Sequence, residues 1–516
     1  MRRRMEVALV VLAATVAAVA VFWPLFSATY PPITDLPFHA AQTSALRHWL
    51  DDSYGFRAQF DLRPLAVPYL SSYLLGALFM LVLPATTAVK LATGVMLLLL
   101  PAGLATLAWG MRKSPVLGLY GVPLAWGHLT HWGFINFVGA LGLFAMCVGL
   151  ALRTLDKPSR RTQIGLAAAL VAVFFTHVFR YPFAVAGALG AALVTWPVHR
   201  RLRPILLPVV PSLALFTIFW FVRPREISGS VGPLDVHAER WAELVPAAVD
   251  GFTDPAEMAA FTRHLWIVAG AFVPTLVLWV LRLRTETTES RRFAALSTLA
   301  PLGSALAFLL LFLTLPMEIG SWWYVYPREA TAALFVVLGV VPDAPAGLVG
   351  RASLVGALSI SSLGVSAVVA RNYAAFEETT RAFDATIAEI PKAPRLLYLI
   401  FDHEGSTRTT TPYIHLPAWV QADRGGWLSF HFSVMGASPL LYRSDADAVV
   451  PPPVPVRWEW TPQKFDVRRN GAFFDWFLVR RDKDPKRLFA ADPTIVLASH
   501  HEDWWLYRRE ERDSTP

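Results

Sequence analysis

The chain of 516 residues contains a single cysteine, Cys147. One cysteine excludes an internal disulfide and a thiolate metal cage. Charge is scarce too: 16% of residues are Asp, Glu, Lys or Arg, against 55% hydrophobic, and the mean hydropathy is +0.44. The sequence has no nucleotide-binding glycine loop and no internal repeat. It also lacks a basic, aromatic-interleaved soluble patch, so the formal net charge of +8 is no sign of a nucleic-acid partner. The excess cations sit in short stretches between apolar runs. These are Arg112 and Lys113; Arg153, Lys157, Arg160 and Arg161; Arg200, Arg201 and Arg203; and Arg282, Arg284, Arg291 and Arg292. Cations in such loops set the orientation of a membrane protein.

Apolar runs are what the chain has in abundance. Segments of about 17–25 residues, enough to cross a bilayer, recur from residue 6 to about residue 370. The expected fold is a polytopic α-helical membrane protein of about eleven transmembrane helices with a small C-terminal α/β domain. The spans are placed near 6–26, 88–109, 115–130, 134–152, 163–179, 182–198, 204–222, 265–283, 293–315, 328–342 and 350–370. Arg2 to Arg4 hold the start of the first span in the cytoplasm. That span resembles a signal peptide, but no convincing small-residue cleavage site follows it, so it reads as retained.

Segment 65–83 is long enough to span, yet carries Pro68, Tyr69, Ser71, Ser72 and Tyr73. Treating it as a half-embedded helix on the outer face returns all four basic stretches to the cytoplasm. The expected layout is a membrane domain over 1–370 with external loops 27–64, 223–264 and 316–329. A connecting amphipathic helix over 371–390 and an extracytoplasmic α/β domain over 391–516 follow, in the plasma (inner) membrane. Strands are expected at Leu396–Phe401, Phe474–Val479 and Trp504–Tyr507, and a rigid linker at Pro451 to Pro453. Ala40 to Leu50 has the pattern of a helix lying in the membrane interface.

The stretch with most chemical content is Thr34-Asp35-Leu36-Pro37-Phe38-His39, which opens the first external loop. Asp35 suits the N-cap of a helix starting near Pro37, since Asp is favoured there and Pro suits the first turn. It also places a carboxylate at the membrane boundary, with His39 one turn on. An external loop with an acid directly after span one, an amphipathic helix and then a half-embedded helix resembles the GT-C superfamily of membrane glycosyltransferases. The protein mannosyltransferases and the lipid A aminoarabinose transferases belong to it. Members often show a paired acid at this place; here Asp35 stands alone.

The resemblance implies transfer of a sugar from a polyprenyl-phosphate donor to a glycan, lipid or protein acceptor at the outer face, with inversion. Asp35 would take the acceptor's proton, since a partly desolvated carboxylate is a better base. A cation would meet the charge developing on the lipid phosphate, a task suited to arginine. Arg328, in Tyr-Pro-Arg-Glu, is the first candidate and Arg180 the second; Arg328 also suits an interfacial anchor paired with Glu329. His128, His131 and Asn136 read as polar residues lining a cavity; two histidines three apart lack a third ligand for a metal. Asp402-His403-Glu404 and His500-His501-Glu502-Asp503 read as solvated clusters at strand ends. No metal or other cofactor is expected. The rival readings are a transporter or flippase of lipid-linked glycans, which requires charges buried at mid-span, and a non-catalytic membrane scaffold.

Overall fold

The computed structural model describes residues 2–65, 67–223, 235–249, 251–252, 254–320, 322–403, 410–435, 438–445, 448–451 and 459–510. Glu404, Pro452 and Pro453 lie outside these, as do 224–234, 250 and 253 of the expected loop 223–264 and Ser321 of the loop 316–329. The chain forms two compact units. One comprises residues 1–25, 65–71 and 93–370; the other comprises 26–64, 72–92 and 371–516.

The first unit is helical, and the chain is a polytopic helical membrane protein. Among the described residues seven helices are long and apolar enough to cross a bilayer. They are Arg2–Leu25, Ala85–Gly110, Ile135–Asp156, Arg203–Val222, Pro255–Arg284, Thr288–Thr314 and Leu348–Ile387. Shorter helices occupy Arg160–Thr176, Tyr181–Val194 and Val325–Val337. The expected span 115–130 is not one helix. It breaks into two 3-10 turns, Pro115–Gly121 and Pro123–Trp126, and the short helix His128–Trp132. Pro115, Pro123 and the glycines between them explain the break, since proline lacks the N–H a continuing helix needs.

Water-driven burial does not hold apolar helices together in lipid; close backbone approach does. Helices Ala85–Gly110 and Ile135–Asp156 show this. A Cβ added at Gly103 would meet Gly142 O at 2.1 Å, one at Gly142 would meet Leu99 O at 2.1 Å, and one at Gly110 would meet Gly149 O at 2.1 Å.

The basic stretches gather at one end of this unit. Arg112 binds Asp156 and, at 2.8 Å, Ser290 Oγ; Arg282 Nη1 lies 2.7 Å from Asp343; His199 packs on Phe293. The first helix and the helix Leu348–Ile387 both start there, with Glu6 3.5 Å from Arg351. Helix Ala85–Gly110 ends there, at Arg112. The chain therefore leaves this end along the first helix and returns to it along Ala85–Gly110. Between them lies helix Ser71–Phe79, nine residues long. Its length of about 14 Å is under half the ~30 Å apolar core of a bilayer.

The second unit is built on a five-stranded sheet in the order Trp427–Leu428, Arg395–Ile400, Trp476–Arg480, Trp504–Arg509, Ile495–His501. The first three strands are parallel and the last two pair antiparallel. Ile495–His501 and the two-residue edge strand are additions to the expected set. Leu396 to Ile400 is buried on both faces, which is why it reads as an unbroken apolar run. Leu397 and Leu399 face a core with Phe465, Phe474, Phe477 and Phe489.

Two expectations are corrected here. The span near 350–370 and the helix 371–390 are one 40-residue helix, because no proline interrupts the chain until Pro391. The helix expected in the membrane interface is instead Leu36–Arg47, buried in this unit from Leu36 to Ala45 except at His39, and packed on helix Ala418–Arg424. Its small residues Ala40, Ala41, Ser44 and Ala45 permit that approach.

Candidate active site

In the second unit the turn at Ile33 leads into helix Leu36–Arg47, with Asp35 at the N-cap and Pro37 in the first turn. Leu36 and Phe38 are buried, and Thr34 is fixed by the Thr411 N–H, which donates to its Oγ1 at 3.2 Å. The Asp35 side chain makes no capping hydrogen bond. Its Oδ1 instead lies 3.1 Å from Nδ1 of His415, a residue the sequence reading did not single out. The His415 side chain is 7% exposed and that of Asp35 18%, so the carboxylate keeps a face toward solvent.

Aromatic rings hold the imidazole. Phe38 meets it edge-on at 4.7 Å, Phe430 stacks at 6.0 Å and Phe432 lies at 5.4 Å. With the ring held and Nδ1 turned to the carboxylate, the Nδ1–H of His415 donates to Asp35 Oδ1 and leaves Oδ2 for another proton. Among the described residues neither Asp35 Oδ2 nor His415 Nε2 has a hydrogen-bond partner.

His39 does not bond Asp35 through its side chain; its Nδ1 lies 2.8 Å from Tyr73 Oη. Burial, and then the Asp35 charge, raise the Tyr73 phenol above its ordinary value, so Tyr73 is protonated beside both residues. Lys90, also missed in the sequence, is buried in this unit and donates to Ala28 O at 3.0 Å. One signal for His415 was in the sequence: Asp35 and His415 each stand directly before Leu-Pro at the start of a helix.

The other candidates lie in the helical unit. Arg180 follows helix Arg160–Thr176 in a short turn and binds both carboxylate oxygens of Glu329, with Nη1–Oε2 at 2.9 Å. Both side chains are 5% exposed, and Phe137, Phe183 and Phe308 surround the guanidinium. Glu329 is thus the partner of Arg180 and not of its neighbour Arg328. Arg328 donates to Tyr324 O at 3.0 Å and Trp323 O at 2.8 Å, and lies 4.1 Å over the Phe134 ring.

Phe137 also touches Arg328 and His177, and His177 packs on Tyr69. Asn136 adjoins this group, and among the described residues its Oδ1 and His177 Nδ1 have no hydrogen-bond partner. Buried orphans of this kind mark a place where water or a ligand polar group belongs. His128 and His131 diverge: His128 Nε2 accepts from Trp132 at 2.8 Å, while His131 turns to Gly127 O and packs on Phe252.

In the second unit, Arg480 ties Asp402 at 3.2 Å and Asp503 at 3.7 Å over the Tyr413 ring. His500 stacks on Trp505 at 3.5 Å. Those clusters hold strand ends together.

No family model matches the chain, and no curated protein matches it. Among solved structures it is similar to ArnT from Cupriavidus metallidurans bound to undecaprenyl phosphate. The identity is 13%, the TM-score 0.58, and the likeness covers 98% of this chain and 99% of that one. The apo state of the same ArnT gives 13% identity and a TM-score of 0.55 over 96% and 97%. The chain therefore shares the fold of ArnT over nearly its whole length.

Proposed function

We propose that this chain, whose fold is that of a protein solved with undecaprenyl phosphate, is a membrane glycosyltransferase. It moves a sugar from a polyprenyl-phosphate donor to a glycan, lipid or protein acceptor at the outer face of the membrane. One observation carries the catalytic part: the Asp35 carboxylate is withheld from capping its own helix and is oriented by a buried imidazole.

In the proposed step the acceptor oxygen attacks the anomeric carbon and the bond to the donor phosphate breaks. The electron pair leaves with the phosphate, and the acceptor's proton passes to Asp35 Oδ2. Attack opposite the leaving group inverts the anomeric centre. His415 is the positioning residue that fixes Oδ1, and Tyr73 with His39 borders the carboxylate. The cation that meets the phosphate is Lys90, from the unit of Asp35. Arg180 is committed to Glu329, so its role is to hold the start of helix Val325–Val337, on which Arg328 sits. The scheme needs neither nucleotide nor metal. Among the described residues the buried Asp, Glu, Lys and Arg of the helical unit lie in short turns or near helix ends, at Lys113, Arg180, Arg240, Glu257, Glu329 and Asp343, which favours surface chemistry over passage.

The test is donor turnover by the full chain in lipid. A panel of polyprenyl-phosphate sugars is offered with a mixed acceptor extract, and release of polyprenyl phosphate is followed. Release that falls at least ~100-fold in Asp35→Asn is the expected result, the size usual for a lost general base. Unchanged release in that variant removes Asp35 from the step. No release and no specific binding of any donor by the wild type moves the assignment to a transporter or scaffold.

A further inference from the structure

We propose that the basic end of the helical unit holds the headgroup of an anionic glycerophospholipid. A cavity of about 640 Å³ lies there, among the start of the first helix, the turn after Gly110, the end of helix Pro255–Arg284 and the segment before Leu348. Arg112, Lys113, Arg282 and Arg351 line it with two carboxylates, Glu6 and Asp343, which leaves a net charge of +2. The charges of these side chains are only partly absorbed by one another.

Lys113 is turned away, onto the carbonyls of Val341 at 2.7 Å and Gly339 at 3.2 Å. The three arginines keep donors in hand. Arg112 uses its two Nη groups on Asp156 and Ser290, Arg282 uses Nη1 on Asp343 and Nε toward Glu286, and Arg351 uses Nε on Pro345 O. Arg351 reaches Glu6 only at 3.5 Å, and the Glu6 side chain is 42% exposed. Among the described residues, Nε of Arg112 and Nη2 of Arg282 and of Arg351 make no hydrogen bond. Three planar forks around one space match a phosphodiester, with one charge and two free oxygens.

The remaining wall decides what carries that phosphate. Val7, Val10 and Val11 line the cavity, and Val7 and Val11 are 57% and 58% exposed. They form an apolar strip on the first helix, leading from the cations toward the bilayer core. A soluble anion would gain nothing from that strip, whereas an acyl chain would bury it. Basic pockets between transmembrane helices on the cytoplasmic side are suited to anionic lipid headgroups, and the positive-inside rule gives this end to that leaflet. The cavity and the cluster at Asn136 lie at opposite ends of helix Ile135–Asp156, whose 22 residues span ~33 Å. The lipid site is thus independent of the transferase reading.

The experiment is native mass spectrometry of the full chain released from nanodiscs of mixed zwitterionic and anionic phospholipid. The expected result is one retained anionic phospholipid per chain, at least ~5-fold less in Arg351→Gln and partly restored in Arg351→Lys, which keeps the charge without the fork. Arg351 is the residue to change because its carboxylate partner is exposed, and an unaltered thermal midpoint confirms that the variant is folded. Equal retention of zwitterionic and anionic lipid overturns the proposal, as does wild-type retention in a folded Arg351→Gln protein. Displacement of the lipid by millimolar inorganic phosphate overturns it in favour of a soluble anion. Displacement by an equal amount of polyprenyl phosphate overturns it in favour of the donor's own lipid.

Discussion

At the start of a helix an aspartate ordinarily gives its carboxylate to a nearby backbone N–H. Asp51, Asp254 and Asp466 do so here, accepting from Ser53, Ala256 and Arg468. Asp35 occupies the same kind of position but has an αR backbone and accepts no such bond, and its carboxylate goes to His415. A loose carboxylate would sample several rotamers, while one fixed at Oδ1 presents Oδ2 in one direction. Replacing His415 by Gln is therefore expected to lower kcat for donor turnover by ~10–100-fold with little change in donor KM, the mark of a group that acts only in the reaction step. Combined with Asp35→Asn it should add almost nothing further, because the two act as one unit. Steady-state kinetics of the three variants decide this. A KM effect with kcat intact, or full additivity, would reduce His415 to a packing residue. Asp35 was legible because a carboxylate beside a long apolar run stands out locally. His415, 380 residues away in the chain, was not, because only folding brings its loop to Thr34 and Asp35.

At the scale of elements, legibility followed the continuity of the signal. Long apolar runs such as 134–152 and 293–315 became helices because an all-apolar surface has one stable use in a bilayer. The run 115–130 is less apolar than these, and its prolines and glycines interrupt the helix, a local signal that a reading of apolar length passes over. Strand Ile495–His501 escaped notice because it ends in Ser499, His500 and His501, which carry no alternating apolar pattern. Glycines inside helices carry meaning that composition hides. Gly142→Val would place a branched side chain where even a Cβ meets Leu99 O at 2.1 Å, so helices Ala85–Gly110 and Ile135–Asp156 would have to part. Overpacking of this kind costs about 1–3 kcal/mol or more. A thermal midpoint several degrees lower, with loss of a monodisperse peak, is expected. Gly190→Ala is the control, since a Cβ there has nothing within 4 Å and should not lower the midpoint. Equal midpoints for both variants would mean that these helices are not held by backbone contact.

At the scale of the molecule, orientation in the membrane decides whether any of this chemistry faces a lipid-linked donor outside. The basic stretches at Arg112, Arg153 to Arg161, Arg200 to Arg203 and Arg282 to Arg292 belong to one end of the helical unit, as Arg112 with Asp156 and Ser290, and His199 with Phe293, show. A cluster of that size is held in the cytoplasm. The first helix and the helix Leu348–Ile387 both begin at that end, and each is long and apolar enough to cross the bilayer. Asp35 and the C-terminal sheet are then both expected outside. The single cysteine makes a clean test possible, because Cys147 is fully buried in helix Ile135–Asp156 and should not react. Lys483→Cys and Arg161→Cys place exposed thiols on the two sides. In intact cells a membrane-impermeant maleimide should label Lys483→Cys and leave Arg161→Cys unlabelled until the cells are permeabilised. The reverse pattern would put the sheet and Asp35 in the cytoplasm, where the proposed acceptors at the outer face cannot reach them, and the transferase reading would fall with the topology.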